Sequence, residues 1–145
     1  MSILRVSLGA ALVWAGAFQG IAAQDAGAAL PSEGTYTSQQ ADRGRDEYTT
    51  ACAHCHSSDL LGDVRQEIPS LAGDDFFVRW GNRTAGDLYR MISKDMPADK
   101  PGGLATQAYV DILAYILQAN RYAAGGTELR ADREQLEAIV LERQR

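Results

Sequence analysis

Cysteine and histidine are scarce in this 145-residue chain, which has only two of each. It also lacks a basic run, and its 14 basic residues against 19 acidic ones give a net charge of -5. Such a charge argues against a surface that neutralises nucleic-acid phosphates. Runs typical of strands are missing, and no internal repeat or low-complexity segment occurs. With 46% apolar residues, the sequence predicts one helical globular domain.

The longest apolar stretch lies at the start, in "MSILRVSLGAALVWAGAFQGIAAQ". It has one early arginine, an apolar centre over about residues 6 to 18, and small residues up to Ala23, the layout of a secretory signal. We expect residues 1–23 to be a signal peptide, 24–36 a flexible leader, 37–145 the domain, and the periplasm the location. The alternative is a retained anchor. Glycines and a glutamine dilute the stretch, and a spanning helix needs about 20 apolar residues, so we expect no stable membrane span.

Both cysteines and both histidines lie in one segment, "CAHCH", at residues 52 to 56. A redox disulfide between Cys52 and Cys55 is expected in a βαβ context, which the sequence does not show. A structural zinc site needs four protein ligands, usually from two separated pairs, and the chain has one cluster. The third possibility is covalent haem attachment, with thioethers from both cysteines and His56 as the iron ligand. The export signal favours this third interpretation. His54 lies between the cysteines and cannot reach the opposite face of the ring.

The sixth iron position then has two candidate thioether ligands. Met91 shares a helical face with Leu88 and Ile92, which favours a role in core packing. Met96 precedes Pro97, and a residue before proline is biased toward an extended backbone, so a loop there can carry its side chain across the ring. We expect Met96 to be the ligand. Ligation by Met91 and an open position are the alternatives.

Capping residues and apolar spacing predict three main helices. The first begins after Thr37, whose T-x-x-Q spacing to Gln40 is that of a capping box, and it runs to the cysteine motif. The second spans about Thr84 to Ser93, and residues 57 to 75 before it are expected to be a loop. The third lies in "TQAYVDILAYILQAN", where apolar residues recur at i, i+3, i+4, i+7 and i+8.

In this order, "GRDEYTTACAHCH", "IPSLAG", "MPADKPGGL" and "YVDILAYIL" resemble the class I cytochromes c, which are small periplasmic monohaem proteins. The fold that the resemblance implies is all-α, with three main helices wrapped around one covalently bound haem c. The tail "NRYAAGGTELRADREQLEAIVLE" is similar to tails of cytochromes associated with quinoprotein dehydrogenases.

The resemblance also implies roles for single residues. Pro69, thirteen positions after His56, matches the family proline whose carbonyl accepts the hydrogen bond of the proximal histidine. Gly44 and Tyr48 match the first-helix positions that cross an aromatic residue of the last helix, here Tyr115. Three side chains are candidates for holding the haem propionates: Arg79, Trp80 and Arg83.

The function implied is one-electron transfer between periplasmic redox partners, and not catalysis. A quinoprotein dehydrogenase is the candidate donor, and an oxidase or another cytochrome is the candidate acceptor. The alternatives are a haem-containing subunit of a periplasmic dehydrogenase and a haem enzyme with an open sixth position. An acidic body favours a basic partner surface or an apolar contact.

Export and haem attachment predict the mass of the purified protein. We expect residues 24–145 plus one haem, because the signal peptide is removed and Cys52 and Cys55 hold the cofactor covalently. Mass spectrometry of the intact protein measures this. The mass of the full chain without haem, or haem that extracts into acidic organic solvent, would contradict the prediction.

Overall fold

Helices form the frame of the protein in a computed structural model that describes residues 34–144. The expected signal peptide and residues 24–33 of the leader lie outside these residues. Over residues 34–144 there are two isolated β-bridges but no strand, so the all-α prediction is confirmed. No helix in this range is long and apolar enough to cross a membrane. The helices are α1 (Ser38–Ala51), α2 (Ala53–His56), α3 (Gly73–Trp80), α4 (Ala85–Asp95), α5 (Thr106–Ala119) and α6 (Arg133–Glu137), with a 3₁₀ turn at Val64–Gln66.

The start of α1 is capped as predicted, but only from one side. The Thr37 hydroxyl accepts a hydrogen bond from the Gln40 backbone N–H at 3.1 Å. The Gln40 side chain does not return to Thr37. It is fully buried and bonds the backbone N–H and carbonyl of Leu129 and the carboxylate of Asp111. The capping box is therefore incomplete because a tertiary contact uses the Gln40 amide.

The first and last of the three main helices cross at Gly44. A Cβ atom at this position would lie 1.8 Å from the backbone carbonyl oxygen of Asp111, so only glycine permits the approach. One turn later the rings of Tyr48 and Tyr115 pack with centroids 5.4 Å apart. The crossing and its aromatic pair are those that the family resemblance implies.

The second main helix agrees with its predicted start and runs two residues further. Thr84 and Asp87 form a complete capping box, with each side chain bonding the other's backbone N–H. α4 ends at Asp95, and Met96 has an extended backbone with φ -120° and ψ 155°, as Pro97 predicts.

The prediction of an unbroken loop over residues 57 to 75 was wrong at its end. α3 begins at Gly73, and the loop itself contains the 3₁₀ turn. Gly73 has a positive φ of 75° and suggested a turn, but it is the first residue of α3. Phe76 and Trp80, one turn apart, are buried and attach α3 to the core.

The tail after α5 belongs to the same core. Leu129, Leu136 and Leu141 are buried. The last residues pair with the segment that enters α4, since the Ala85 N–H donates to the Ile139 carbonyl at 2.8 Å and the Leu141 N–H donates to a carbonyl beside Thr84 at 2.7 Å. The tail therefore supports α4 rather than extending away from the domain.

The crossing of α1 and α5 predicts the effect of Gly44→Ala. Helix propensity alone would stabilise the protein by about 1 kcal/mol. The added methyl group would clash with the backbone of α5, which cannot rotate away as a side chain could. We therefore expect the helices to separate and the free energy of unfolding to fall by about 1–3 kcal/mol. Denaturant unfolding of the haem-loaded protein measures it. Gly126→Ala is the control, because nothing lies within 4 Å of a Cβ there. A stabilising Gly44→Ala would show that the helices do not depend on close approach.

Candidate functional site

A cavity of about 610 Å³ opens between the cysteine motif, α4, α5 and their connecting loops. Its size suits a large organic ligand. The motif contributes both cysteines and His56, and α4 with its following segment contributes both methionines of this region. The remaining wall is mainly apolar and includes Leu71, Trp80, Ile92, Leu104, Ile112 and Ile116.

The cysteine motif reaches the cavity from a single helical turn. Cys52 ends α1 and begins α2, and its N–H donates to the Tyr48 carbonyl at 2.8 Å. Its carbonyl accepts from the N–H groups of Cys55 and His56 at 3.1 and 2.9 Å. The turn brings the two thiols and the imidazole to one wall. His54, on the same turn, is exposed.

The Cys52 thiol and its surroundings differ from those of a redox dithiol and of a zinc site. Both cysteines are free. Burial, aided by the neighbouring Cys55, raises the pKa of Cys52 to about 11, whereas redox-active cysteines have a lowered pKa. Over residues 34–144, no three His, Cys, Asp or Glu side chains form a group that could hold a metal ion. The disulfide and zinc alternatives therefore have no support in the geometry.

The imidazole of His56 is buried and held in one orientation. Its Nδ1 lies 3.1 Å from the carbonyl oxygen of Pro69. A carbonyl can only accept, so Nδ1 carries the proton and Nε2 keeps the lone pair that can bind a metal. This is the contact that the resemblance implies for Pro69.

Met96 lies on the segment between α4 and α5, which Tyr109 holds in position. The Tyr109 hydroxyl donates to the Met96 carbonyl at 2.6 Å and accepts from the Leu104 N–H at 3.3 Å. The Gly102 N–H also donates to the Met96 carbonyl, at 3.2 Å. The sequence predicted no role for Tyr109 at this segment, because no local pattern indicates that its hydroxyl reaches a carbonyl thirteen residues back.

Met91 has a more exposed position than its helical face suggested. Leu88 and Ile92 beside it are buried, whereas Met91 is half-buried, packs against the core and lines the cavity. The structure therefore brings both thioethers to the cavity wall.

The three propionate candidates also line the cavity. Arg83 lies over the ring of Trp80, with its guanidinium carbon 4.5 Å from the ring centroid, and it approaches Asp87 at 4.0 Å. Trp80 is buried, and Arg79 is exposed at the rim. Two guanidinium groups at the rim of an apolar cavity suit a flat apolar ligand with anionic substituents.

The donor set and the cavity together fit a haem. The wall offers two thiols and an imidazole nitrogen with a free lone pair. The thioethers of the two methionines are the other candidate ligands for the iron. All of these groups are known to attach a haem or to bind its iron. The apolar wall would exclude water from such a ring.

Comparison with known proteins supports this chemistry. Residues 39–116 match the family model described as cytochrome c oxidase, cbb3-type, subunit III. Searches of curated proteins and of solved structures gave no match. The matched segment contains the cysteine motif, Pro69 and Met96, and ends within α5. The chain therefore belongs to this cytochrome c family, with a class I cytochrome c-like monohaem domain that implies haem c and electron transfer to redox protein partners.

Proposed function

We propose that the protein is a one-electron carrier with one haem c, attached through Cys52 and Cys55 and ligated by His56 and Met96. The observation that carries this proposal is the shared cavity wall, to which a one-turn helix brings both thiols and an imidazole oriented by Pro69. A bound haem c supplies a one-electron couple at its iron.

The roles of the two ligands follow from what holds each of them. Pro69 keeps the His56 proton on Nδ1, so Nε2 would be free to bind the iron and would be a better donor. Tyr109 fixes the Met96 backbone, which limits how far its thioether can withdraw. If His56 and Met96 both hold the iron, no site would remain on it for a substrate, and the thioether would raise the potential relative to a second nitrogen ligand.

The proposed location is the periplasm, where a quinoprotein dehydrogenase would donate electrons and an oxidase or another cytochrome would accept them. The N-terminal sequence pattern supports export. The resemblance supports these partners.

A second candidate is a permanent subunit of a larger oxidoreductase. The family description names a subunit of an oxidase. This candidate therefore includes an oxidase subunit as well as the dehydrogenase subunit that the sequence left as an alternative. The third candidate, a haem enzyme, requires an open sixth position.

The distal ligand is tested with two methionine variants. Met96→Ala should retain haem, because Cys52, Cys55 and His56 are unchanged, but it should lose the sulfur-to-iron absorption band and lower the potential. Met91→Ala should keep the band and lower the free energy of unfolding by about 2 kcal/mol, the low end for such a truncation because the side chain is only half-buried. Absorption spectroscopy, redox titration and denaturant unfolding separate the two effects.

Two results would contradict the assignment of Met96 as the ligand, and a third would contradict covalent attachment. If Met91→Ala loses the band and Met96→Ala keeps it, the ligand is Met91. If the wild-type protein binds cyanide as readily as Met96→Ala does, the sixth position is open, as the enzyme alternative requires. A haem stain that fails on a denaturing gel would refute covalent attachment.

The carrier and subunit candidates differ in the strength of association. A carrier makes a contact that weakens as salt screens its charges, so we expect the protein to elute alone in size-exclusion chromatography of periplasmic extract at high salt. Co-elution with an oxidase or a dehydrogenase under the same conditions would favour the subunit.

A further inference from the structure

The loop between α2 and α3, residues 57–72, exposes two branched apolar side chains. Val64 is 88% exposed and Leu61 is 56% exposed. Single apolar side chains are common on protein surfaces and need no explanation by themselves. These two share a loop that is hydrogen-bonded to His56, the proposed iron ligand. That position distinguishes them from other exposed apolar side chains.

The part of the α2–α3 loop that carries Val64 is held rigidly. Asp63 and Ile68 form a two-way β-bridge with hydrogen bonds of 3.0 and 2.9 Å. The Asp63 carboxylate accepts from the Arg65 N–H at 2.9 Å and from the Gln66 amide at 2.8 Å. A preordered surface loses little conformational entropy when a partner binds it.

The same loop is bonded to His56 at its base. The Gly62 N–H donates to the His56 carbonyl at 3.0 Å, and Pro69 accepts from the imidazole. Gly62 has a positive φ of 68°, and a Cβ there would lie 2.3 Å from the Ile68 carbonyl oxygen, so the loop requires glycine at this point. A short bonded path therefore joins the exposed side chains to the proposed iron ligand.

The charge of the α2–α3 loop selects the kind of partner. The loop carries three carboxylates, those of Asp59, Asp63 and Glu67, and one guanidinium, that of Arg65. Asp59 holds its place by accepting from the Leu61 N–H at 3.0 Å. Exposed apolar side chains on a loop with a net negative charge complement an apolar patch with a basic rim.

We propose that the α2–α3 loop is the docking surface for a redox protein that presents an apolar patch surrounded by Lys and Arg. This inference rests on the proposed carrier function and assigns it a contact surface. Leu61 and Val64 form the apolar centre, and the carboxylates steer the partner to it.

The test uses a basic class I cytochrome c as the acceptor probe and the reduced, haem-loaded protein as the donor. The double variant Leu61→Ser/Val64→Ser should lower the second-order rate constant in stopped-flow mixing by about fivefold or more, because apolar contacts at an interface centre carry binding energy. Val78→Ser is the matched control. Val78 is 84% exposed but lies on α3, so we expect its rate constant to stay near that of wild type.

A second pair of variants tests the role of the loop carboxylates. Asp59→Asn keeps an oxygen for the Leu61 N–H and removes one charge, so the rate constant should depend less on salt. Asp75→Asn removes the same charge from α3 and should change the salt dependence less.

Ferricyanide separates this inference from the proposed function, because a small oxidant needs no protein docking surface. Unchanged ferricyanide rates with slower protein transfer support the α2–α3 loop as the surface. An equal fall of the rate constant for protein transfer in Val78→Ser overturns the inference. Slower oxidation of the double variant by ferricyanide also overturns it. A dimer in sedimentation that the double variant abolishes would show that a second copy is the occupant. A wild-type protein that does not reduce ferricyanide would refute the carrier function itself.

Discussion

The close approach of Gly44 to the Asp111 backbone is the constraint on which the rest of the site depends. It sets the separation of α1 and α5, and both helices contribute side chains to the cavity wall. Cys52, which begins the cysteine motif, caps the end of α1, and Tyr109, which holds the Met96 segment, lies in the first turn of α5. A change of the crossing would therefore move both sets of candidate iron ligands relative to each other.

Both candidate iron ligands are restrained by hydrogen bonds to backbone carbonyls. His56 is held by the carbonyl of Pro69, and Met96 is held at its own carbonyl by Tyr109. Neither restraint uses a charged group, which suits a wall that must stay apolar around a ring whose charge changes by one. The two proposed iron ligands are thus restrained by Pro69 of the α2–α3 loop and by Tyr109 of α5.

A polar network attaches the tail to the same crossing. The buried Asp111 carboxylate accepts from Gln40, Arg43 and Gln107. Arg43 extends the network to Glu128 in the tail, and the hydrogen bond to Asp111 raises the pKa of the Arg43 guanidinium. A buried carboxylate is tolerated where its lone pairs are satisfied, and here its partners connect α1, α5 and the tail. The tail lies beyond the matched residues 39–116, yet it completes the core.

Local sequence patterns determined the three main helices and the chemistry of the motif. The Thr84 and Asp87 capping box and the extended backbone before Pro97 depend on neighbours a few residues apart, so they could be predicted. The C-x-x-C-H motif needs one helical turn to bring its thiols and imidazole together.

Contacts between distant segments were decided only by tertiary structure. The Gln40 side chain bonds Leu129, 89 residues away, instead of completing the capping box. The Tyr109 hydroxyl donates to the Met96 carbonyl, thirteen residues back in the chain. Met91 faces the cavity although its spacing fits a core position. Hydrogen-bond partners and cavity walls depend on which helices meet and at what distance, and no periodicity in a single segment contains that information.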